Sequence, residues 1–314
     1  MTSLIIRRIR DMVVVLVFVT TAMFFILHSI PGSPAIAILG QEASAEQIAA
    51  LNHELGFDKP LLAQYLSFMG HAFRGDLGYS VSQSGGVMHA VLSYLGPTLL
   101  IATSATVLGV LVAVPLAVRT VSRPRSLLSR FLMGASSFGL AIPSFWLALI
   151  LVLLLAVRTR VFPVTGYVSP LESPARAASF LALPIIVIMA HQVALLVITL
   201  RESLAAEMLN PYVRTARAKG ASERRVMYRH VLPNGLLPAV TVIGGNFGSL
   251  LGGVVIIETV FLIPGIGYLL YGGVQARDYN LILGITIITA ALIVLVNLAV
   301  DLVYAVLDPR VRLQ

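Results

Sequence analysis

Cysteine is absent from the 314 residues. That excludes disulfides, thiolate metal sites, iron–sulfur clusters and a cysteine nucleophile, and it leaves cysteine usage silent on redox compartment. Lysine is nearly absent: Lys59 and Lys219 are the only two. Neither stands in the G-x-x-x-x-G-K-[ST] loop that cradles nucleotide phosphates, so ATP chemistry through that motif is excluded. Charge as a whole is scarce, 11% of residues, where a soluble chain carries about 25%. With 58% hydrophobic residues and a mean hydropathy of +0.92, the chain cannot cover itself with polar surface. Its solvent is lipid.

Paired carboxylates, and histidines at ligand spacing, are missing as well. His28, His53, His71 and His89 are scattered, so no metal site is expected, and an intramembrane enzyme lacks the convergent nucleophile and base it needs.

What is present is a set of long apolar runs. Six of them, at 12–30, 98–118, 131–157, 180–200, 236–262 and 281–307, reach the roughly 20 residues a helix needs to cross hydrocarbon. The first is read as a retained span: it outlasts a signal-peptide core, and Pro31-Gly32-Ser33-Pro34 offers no clear cleavage site. With the N-terminus inside, 16 of the 22 basic residues fall on the cytoplasmic side and 6 on the other. This is the positive-inside bias. The net charge of +8 is then a record of topology, not a nucleic-acid footprint, and both termini are expected in the cytoplasm. The expectation is an all-α integral membrane protein of six transmembrane helices lying in the lipid bilayer.

Two connections exceed mere turns. The outer loop 31–97 holds a helix-like stretch at 44–55, where Ser44 is a cap and Glu46 and Gln47 lie in the first turn. The inner loop 201–235 is the most basic part of the chain. Pro211 suits a first helical turn, Val213, Ala216 and Tyr212 give an apolar face, and Gly220 ends the helix. Ser222 then caps a second short helix with Glu223 in its first turn, Val226 and Met227 on its apolar edge and Pro233 closing it. Such an arginine-studded elbow either rests on lipid headgroups or docks a soluble partner.

Within the spans, Glu258 and Asp301 lie near helix ends. Asp301 is read as a helix-end residue near Arg310 and Arg312; Glu258, beside Pro264-Gly265, is read equally as a helix-end group or as part of a shaped pore mouth. His191 and Gln192 sit in mid-span, a position that favours an interhelical hydrogen bond over an ion site. Gly244, Gly248 and Gly252 recur every four residues, a stripe that either packs helices tightly within the chain or lines the path beside a partner. Pro143 and Pro184 are expected to kink their spans.

The inner loop resembles the "EAA loop" of ABC importer permeases, E-A-A-x-x-x-G followed by a helix ending in Leu-Pro. Arg214-Thr215-Ala216 stands in place of E-A-A, and Gly220 holds the glycine position. The Arg-Thr-Ala-Arg-Ala-Lys-Gly form is similar to the dipeptide/oligopeptide/nickel branch. So are Arg7-Arg8 with Pro31-Gly32-Ser33-Pro34, Leu55-Gly-Phe-Asp-Lys-Pro60, Gln64-Tyr65-Leu66, and Arg74-Gly-Asp-Leu-Gly78 with Ser80. Further on, Glu258-Thr-Val-Phe-Leu-Ile-Pro-Gly-Ile-Gly267, Arg277-Asp278-Tyr279 and Asp308-Pro-Arg-Val-Arg312 resemble that branch too. Ser33 and Asn280 depart from its usual Asp and Pro.

The resemblance implies an inner-membrane permease with a type I (MetI-like) core at 94–307. A first span and large outer loop at 1–93 precede it, and a cytoplasmic tail at 308–314 follows. It implies a homologous second permease, two cytoplasmic ATP-binding subunits holding the ATP and Mg, and an extracytoplasmic substrate-binding protein; this chain itself would hold no cofactor and catalyse nothing. The coupling loop would comprise Arg214, Thr215, Ala216, Arg217, Gly220, Glu223, Arg224 and Arg225. Gly244, Gly248, Gly252, Glu258, Pro264, Gly265 and Gly267 are the pore and outer-gate candidates. The substrate implied is a di- or oligopeptide, with nickel complexes, opines or sugars open. A secondary transporter or channel, running without an ATPase, is the rival reading; co-purification of a partner permease and ATPases separates the two.

Overall fold

The computed structural model describes residues 2–30, 35, 39, 43–54 and 56–307. The Pro31-Gly32-Ser33-Pro34 element, the tail 308–314 with Arg310 and Arg312, and the side chain of Asp301 lie outside the described residues. Four helices are long and apolar enough to cross a bilayer, at Met12–Ser29, Val87–Ser122, Pro174–Glu207 and Tyr279–Val300; two bent helix pairs, each taken as one span, bring the number to six.

One bent pair corrects the expectation at Pro143. The chain does not kink there but breaks, Leu127–Ala141 giving way to Ser144–Arg158 at 105°. Proline excludes its predecessor from the helical region, and Ile142 is accordingly extended (φ −80°, ψ 123°). Pro184 by contrast leaves Pro174–Glu207 unbroken. The second pair is Val254–Phe261 with Ile266–Gln275. The stretch expected as a loop up to residue 97 is helical from Val87 onward. At about 1.5 Å per residue the 36-residue helix Val87–Ser122 is longer than a bilayer core.

The chain forms two compact units, Met1–Thr98 with Pro264–Leu295, and Leu99–Ile263 with Val296–Gln314. In the first, Ala45–Glu54 starts at a reciprocal capping box: Gln47 N–H donates to Ser44 Oγ (3.2 Å) and Ser44 N–H to Gln47 Oε1 (2.9 Å). Leu61–Ala72 follows, then a hairpin pairing Tyr79–Ser80 with Gly85–Gly86. The core of this unit gathers Leu77, Val87, Val91, Ile266, Leu269, Leu281 and Ile285, and an aromatic layer of Phe24, Phe57, Tyr65, Phe68 and Tyr279 lies at the end of the first span.

In the second unit, one cluster packs Ile101, Ala105, Leu183, Val187, Ile257 and Phe261; another packs Ala113, Ala117, Leu196, Leu200 and Leu204 with Val213, Val226 and Val231 of the 201–235 segment. Lipid is as apolar as leucine and does not drive helices together, so close van der Waals fit must. Small residues supply it. A Cβ on Gly244 would stand 2.4 Å from Val300 Cγ2, and one on Gly235 2.5 Å from Leu204 Cδ2.

Candidate functional site

The 201–235 segment folds as the elbow its sequence predicts, with one correction. Three residues after Pro174–Glu207, the helix Pro211–Ala218 begins with proline in its first turn and buries Val213 completely. It ends in a Schellman motif: Gly220 N–H donates to Arg217 O (2.9 Å) and Ala221 N–H to Ala216 O (3.1 Å), with Gly220 left-handed at φ 81°. Ser222 caps the next turn, its Oγ accepting from Arg225 N–H at 3.4 Å. The correction concerns Pro233, which does not close this arm. Glu223–Arg225 passes through a π-helical stretch, Val226–Val231, into Leu232–Gly235, and Leu236 stays helical on the way into Leu237–Phe261. Proline is tolerated because it sits in the first turn of Leu232–Gly235, where its missing N–H costs nothing.

Side chains brace the elbow. Arg217 reaches across the bend to Glu223 as a bidentate pair, Nε to Oε1 at 2.8 Å and Nη2 to Oε2 at 3.1 Å. That bond raises the guanidinium pKa above its ordinary value. Both groups are well exposed, so the pair contributes about 0.5 kcal/mol, no more than an ordinary surface pair. Arg217 is therefore engaged within the chain, whereas Arg214, Arg224 and Arg225 are exposed. Thr215 bonds back to Pro211 O, and Ala216 packs half-buried against the core. The Tyr212 hydroxyl donates to Glu207 and accepts from Asn234 Nδ2 (3.1 Å), tying the entry of the elbow to its exit. Partial burial first, and the Glu207 bond second, push this phenol's pKa up. Ser203 Oγ donates to Gly235 O at 2.8 Å. Tyr212, Ser203 and Gly235 were not singled out from the sequence; only the Pro-Asn-Gly run at 233–235 hinted at a close approach.

The pore candidates separate. Gly244 is covered by Val300 of the same chain, which accounts for that member of the stripe by internal packing. Gly248 is buried, and Gly252 is described only as helical backbone. Glu258 is fully buried in the last turn of Leu237–Phe261. Its carbonyl accepts from Ile263 N–H at 2.8 Å, and Leu262 closes that helix left-handed at φ 52°, where glycine is the usual choice.

Pro264 is half-buried. Gly265 is extended at φ −110° and precedes the first turn of Ile266–Gln275, and Gly267 lies buried within that turn. The Ile266 N–H donates to Thr98 Oγ1 at 2.8 Å, a cap supplied from another element and invisible in the sequence. His191 is exposed; Gln192 is buried and donates to Thr106 Oγ1 at 3.3 Å, the interhelical bond expected. Both line a cavity of about 380 Å³ at the Pro143 break, with Asn246 and Ser144. Among the described residues no three His, Asp or Glu side chains converge on a point where a metal would sit.

Two further motifs meet. Asp278 Oδ2 accepts from Ser80 Oγ (2.7 Å), Ser82 N–H (3.0 Å) and Ser82 Oγ (2.9 Å), while Oδ1 accepts from Leu281 N–H (3.1 Å) as the cap of Tyr279–Leu307.

A coupling-type elbow continuous with an apolar helix, on an otherwise apolar chain, is the geometry of a transport subunit, and the comparison of sequences decides the family. Residues 105–313 match the model of the binding-protein-dependent transport system inner membrane component, and residues 1–101 match the N-terminal model of the same system. The chain belongs to this family. This inner membrane component is thus the permease of an ABC importer, a transport subunit and not a catalyst, and it works with ATPase and binding-protein partners.

It is 35% identical over 308 residues to the probable peptide ABC transporter permease protein y4tP of Sinorhizobium fredii, covering 98% of each chain. It is 34% identical over 316 residues to the oligopeptide transport system permease protein AppB of Bacillus subtilis, covering 99% of this chain and 100% of that one. An inward-facing MetNI methionine ABC transporter structure superposes with a TM-score of 0.55 at 17% identity, over 70% of this chain and 97% of that one. That last likeness is one of fold, and it bears out the MetI-like expectation.

Proposed function

We propose that the permease imports di- or oligopeptides handed over by an extracytoplasmic binding protein. It pairs with a homologous second permease, and two cytoplasmic ATP-binding subunits, which hold the ATP and Mg, drive it. Relatives alignable over nearly the whole chain carry peptide permease names, which supports the substrate class. The exposed apolar side chains on its helices, Phe131, Phe138 and Trp146 among them, suit lipid or a partner subunit. The positive-inside bias supports cytoplasmic termini and a cytoplasmic 201–235 segment.

One observation carries the coupling role: the second arm of the elbow runs without a loop into Leu237–Phe261, while the first follows Pro174–Glu207 by three residues. A push on the elbow would reach both helices. A chain without a phosphate loop can use ATP only through such a contact.

The test is Gly220→Val. Nothing in the chain lies within 4 Å of a Cβ there, so the variant folds around the same core. It must adopt φ 81°, at a cost of about 1 kcal/mol or more, or lose the turn. Substrate-stimulated ATP hydrolysis by the reconstituted complex is expected to fall severalfold, with the permease still inserted. Wild-type stimulation together with ATPase retention in pull-downs would mean the elbow is not the coupling site.

A further inference from the structure

The first unit contains a cavity of about 530 Å³, walled by Phe24, His28, Phe57, Phe68 and Tyr279. This lies within the size range of small-molecule sites, about 300–1,000 Å³, and an apolar wall with a few placed polar groups is their usual make-up. Two of its polar atoms are out of place in an ordinary core. The Tyr279 side chain is 6% exposed, yet its hydroxyl has no hydrogen-bond partner among the described residues; neither has the buried Nε2 of His28. Buried polar groups are nearly always paired, and an exception needs a reason.

The chemistry of the two atoms is complementary. His28 Nδ1 lies 2.8 Å from Phe24 O, and a carbonyl only accepts, so Nδ1 carries the proton and Nε2 of the neutral ring is an acceptor. The Tyr279 hydroxyl is a donor. Their rings meet edge-on, centroids 5.4 Å apart, and Phe24 stacks on the imidazole at 4.0 Å, which fixes its plane. Neighbouring polar groups are already spent: Gln64 Nε2 donates to the Phe57 and Lys59 carbonyls, and Asp278 holds four donors. One donor and one acceptor on an aromatic wall match a main-chain amide, whose C=O takes the Tyr279 proton and whose N–H meets His28 Nε2. Lys59 and Asp76, exposed at the rim, offer opposite charges to the two ends of a short zwitterionic chain.

We propose that this cavity is a transit site for short peptides within the permease itself, gripping a backbone amide between Tyr279 and His28 with an apolar side chain among the phenyl rings. The proposal rests on the peptide reading above. Tyr279→Phe separates it from a structural role, because the two predict opposite signs. If the hydroxyl waits for substrate, its removal takes away an unpaired buried group and raises the melting temperature of the peptide-free permease. The same change weakens binding of an Ala-Phe-Ala tripeptide to the nanodisc-held complex, without its binding protein, roughly fivefold, the effect of one lost hydrogen bond. His28→Phe, which keeps the stack on Phe24 but removes the acceptor, is expected to weaken binding likewise.

Tripeptide uptake by the complete wild-type transporter in proteoliposomes is measured alongside. Wild-type uptake with unchanged tripeptide affinity in both variants, or a lowered melting temperature in Tyr279→Phe, overturns the transit site and leaves the peptide reading standing. No peptide uptake by the wild type overturns the reading and the site with it.

Discussion

At the scale of single residues, Asp278 shows how one carboxylate fixes a junction. Its two oxygens take four donors, three from Ser80 and Ser82 and one from the first turn of Tyr279–Leu307. Hydrogen bonds to a charged acceptor contribute about 1.5–3 kcal/mol each, and a donor left facing another donor costs more than a bond simply lost. Asp278→Asn keeps the shape but turns an NH₂ toward one set of N–H or O–H donors in either orientation. Thermal unfolding of the purified variant is expected to begin several degrees lower, reflecting a loss of about 2 kcal/mol or more; a midpoint equal to wild type would refute the assignment. Asp278 and Ser80 were both legible as family signatures. Their meeting was not, since 198 residues separate them and a single sequence carries no measure of distance. Tyr212 and Thr98 escaped for a related reason: a hydroxyl's role is set by what folds beside it, and neither stands in a local pattern.

Elements were legible where the signal is local. Ser44 with Gln47, Pro211, Gly220 and Ser222 announce their caps within four residues, and the structure places each of them so. Helix endings without glycine were not legible: Leu262 and Arg277, both at φ 52°, close their helices left-handed, a conformation costing about 1–2 kcal/mol that surrounding packing must offset. The depth of the Pro143 break was likewise hidden, because proline announces an interruption but not its angle.

Helix-to-helix fit is the other long-range matter. The glycine stripe on Leu237–Phe261 was open between packing and pore, and Val300 over Gly244 favours packing for that residue. Gly244→Ala would press a methyl into a β-branched side chain with little freedom to turn, overpacking that costs about 1–3 kcal/mol. The variant is expected to melt lower, and Val300→Ala in the same chain to restore most of the loss. A glycine kept for the translocation path predicts instead that Gly244→Ala impairs uptake at wild-type stability, with no rescue from position 300.

On the scale of the whole molecule, composition decided the solvent and the basic residues decided an orientation, but only the first is visible in the fold. Helices of sufficient length and apolarity say that the chain crosses a membrane, not which end lies inside. The orientation rests on the 16-to-6 division of arginine and lysine. The coupling proposal depends on it, since ATP-binding subunits can reach 201–235 only from the cytoplasm, and a binding protein can meet 43–86 only from the other side.

The natural absence of cysteine makes the division directly measurable. Glu46, exposed in Ala45–Glu54, and Arg224, exposed on the elbow, make no hydrogen bond through their side chains among the described residues, so Glu46→Cys and Arg224→Cys are expected to leave the fold intact. In spheroplasts, a membrane-impermeant maleimide should modify position 46 at once and position 224 only after the membrane is permeabilised. Labelling in the reverse order would invert the topology and detach the elbow from any cytoplasmic ATPase. Labelling of both positions in intact spheroplasts would place 46 and 224 on one face, which an odd number of crossings between them forbids. Three spans are expected there, one of them broken at Pro143, so this single pair of cysteines also tests whether the bent helices Leu127–Ala141 and Ser144–Arg158 together cross the membrane once or turn back within it.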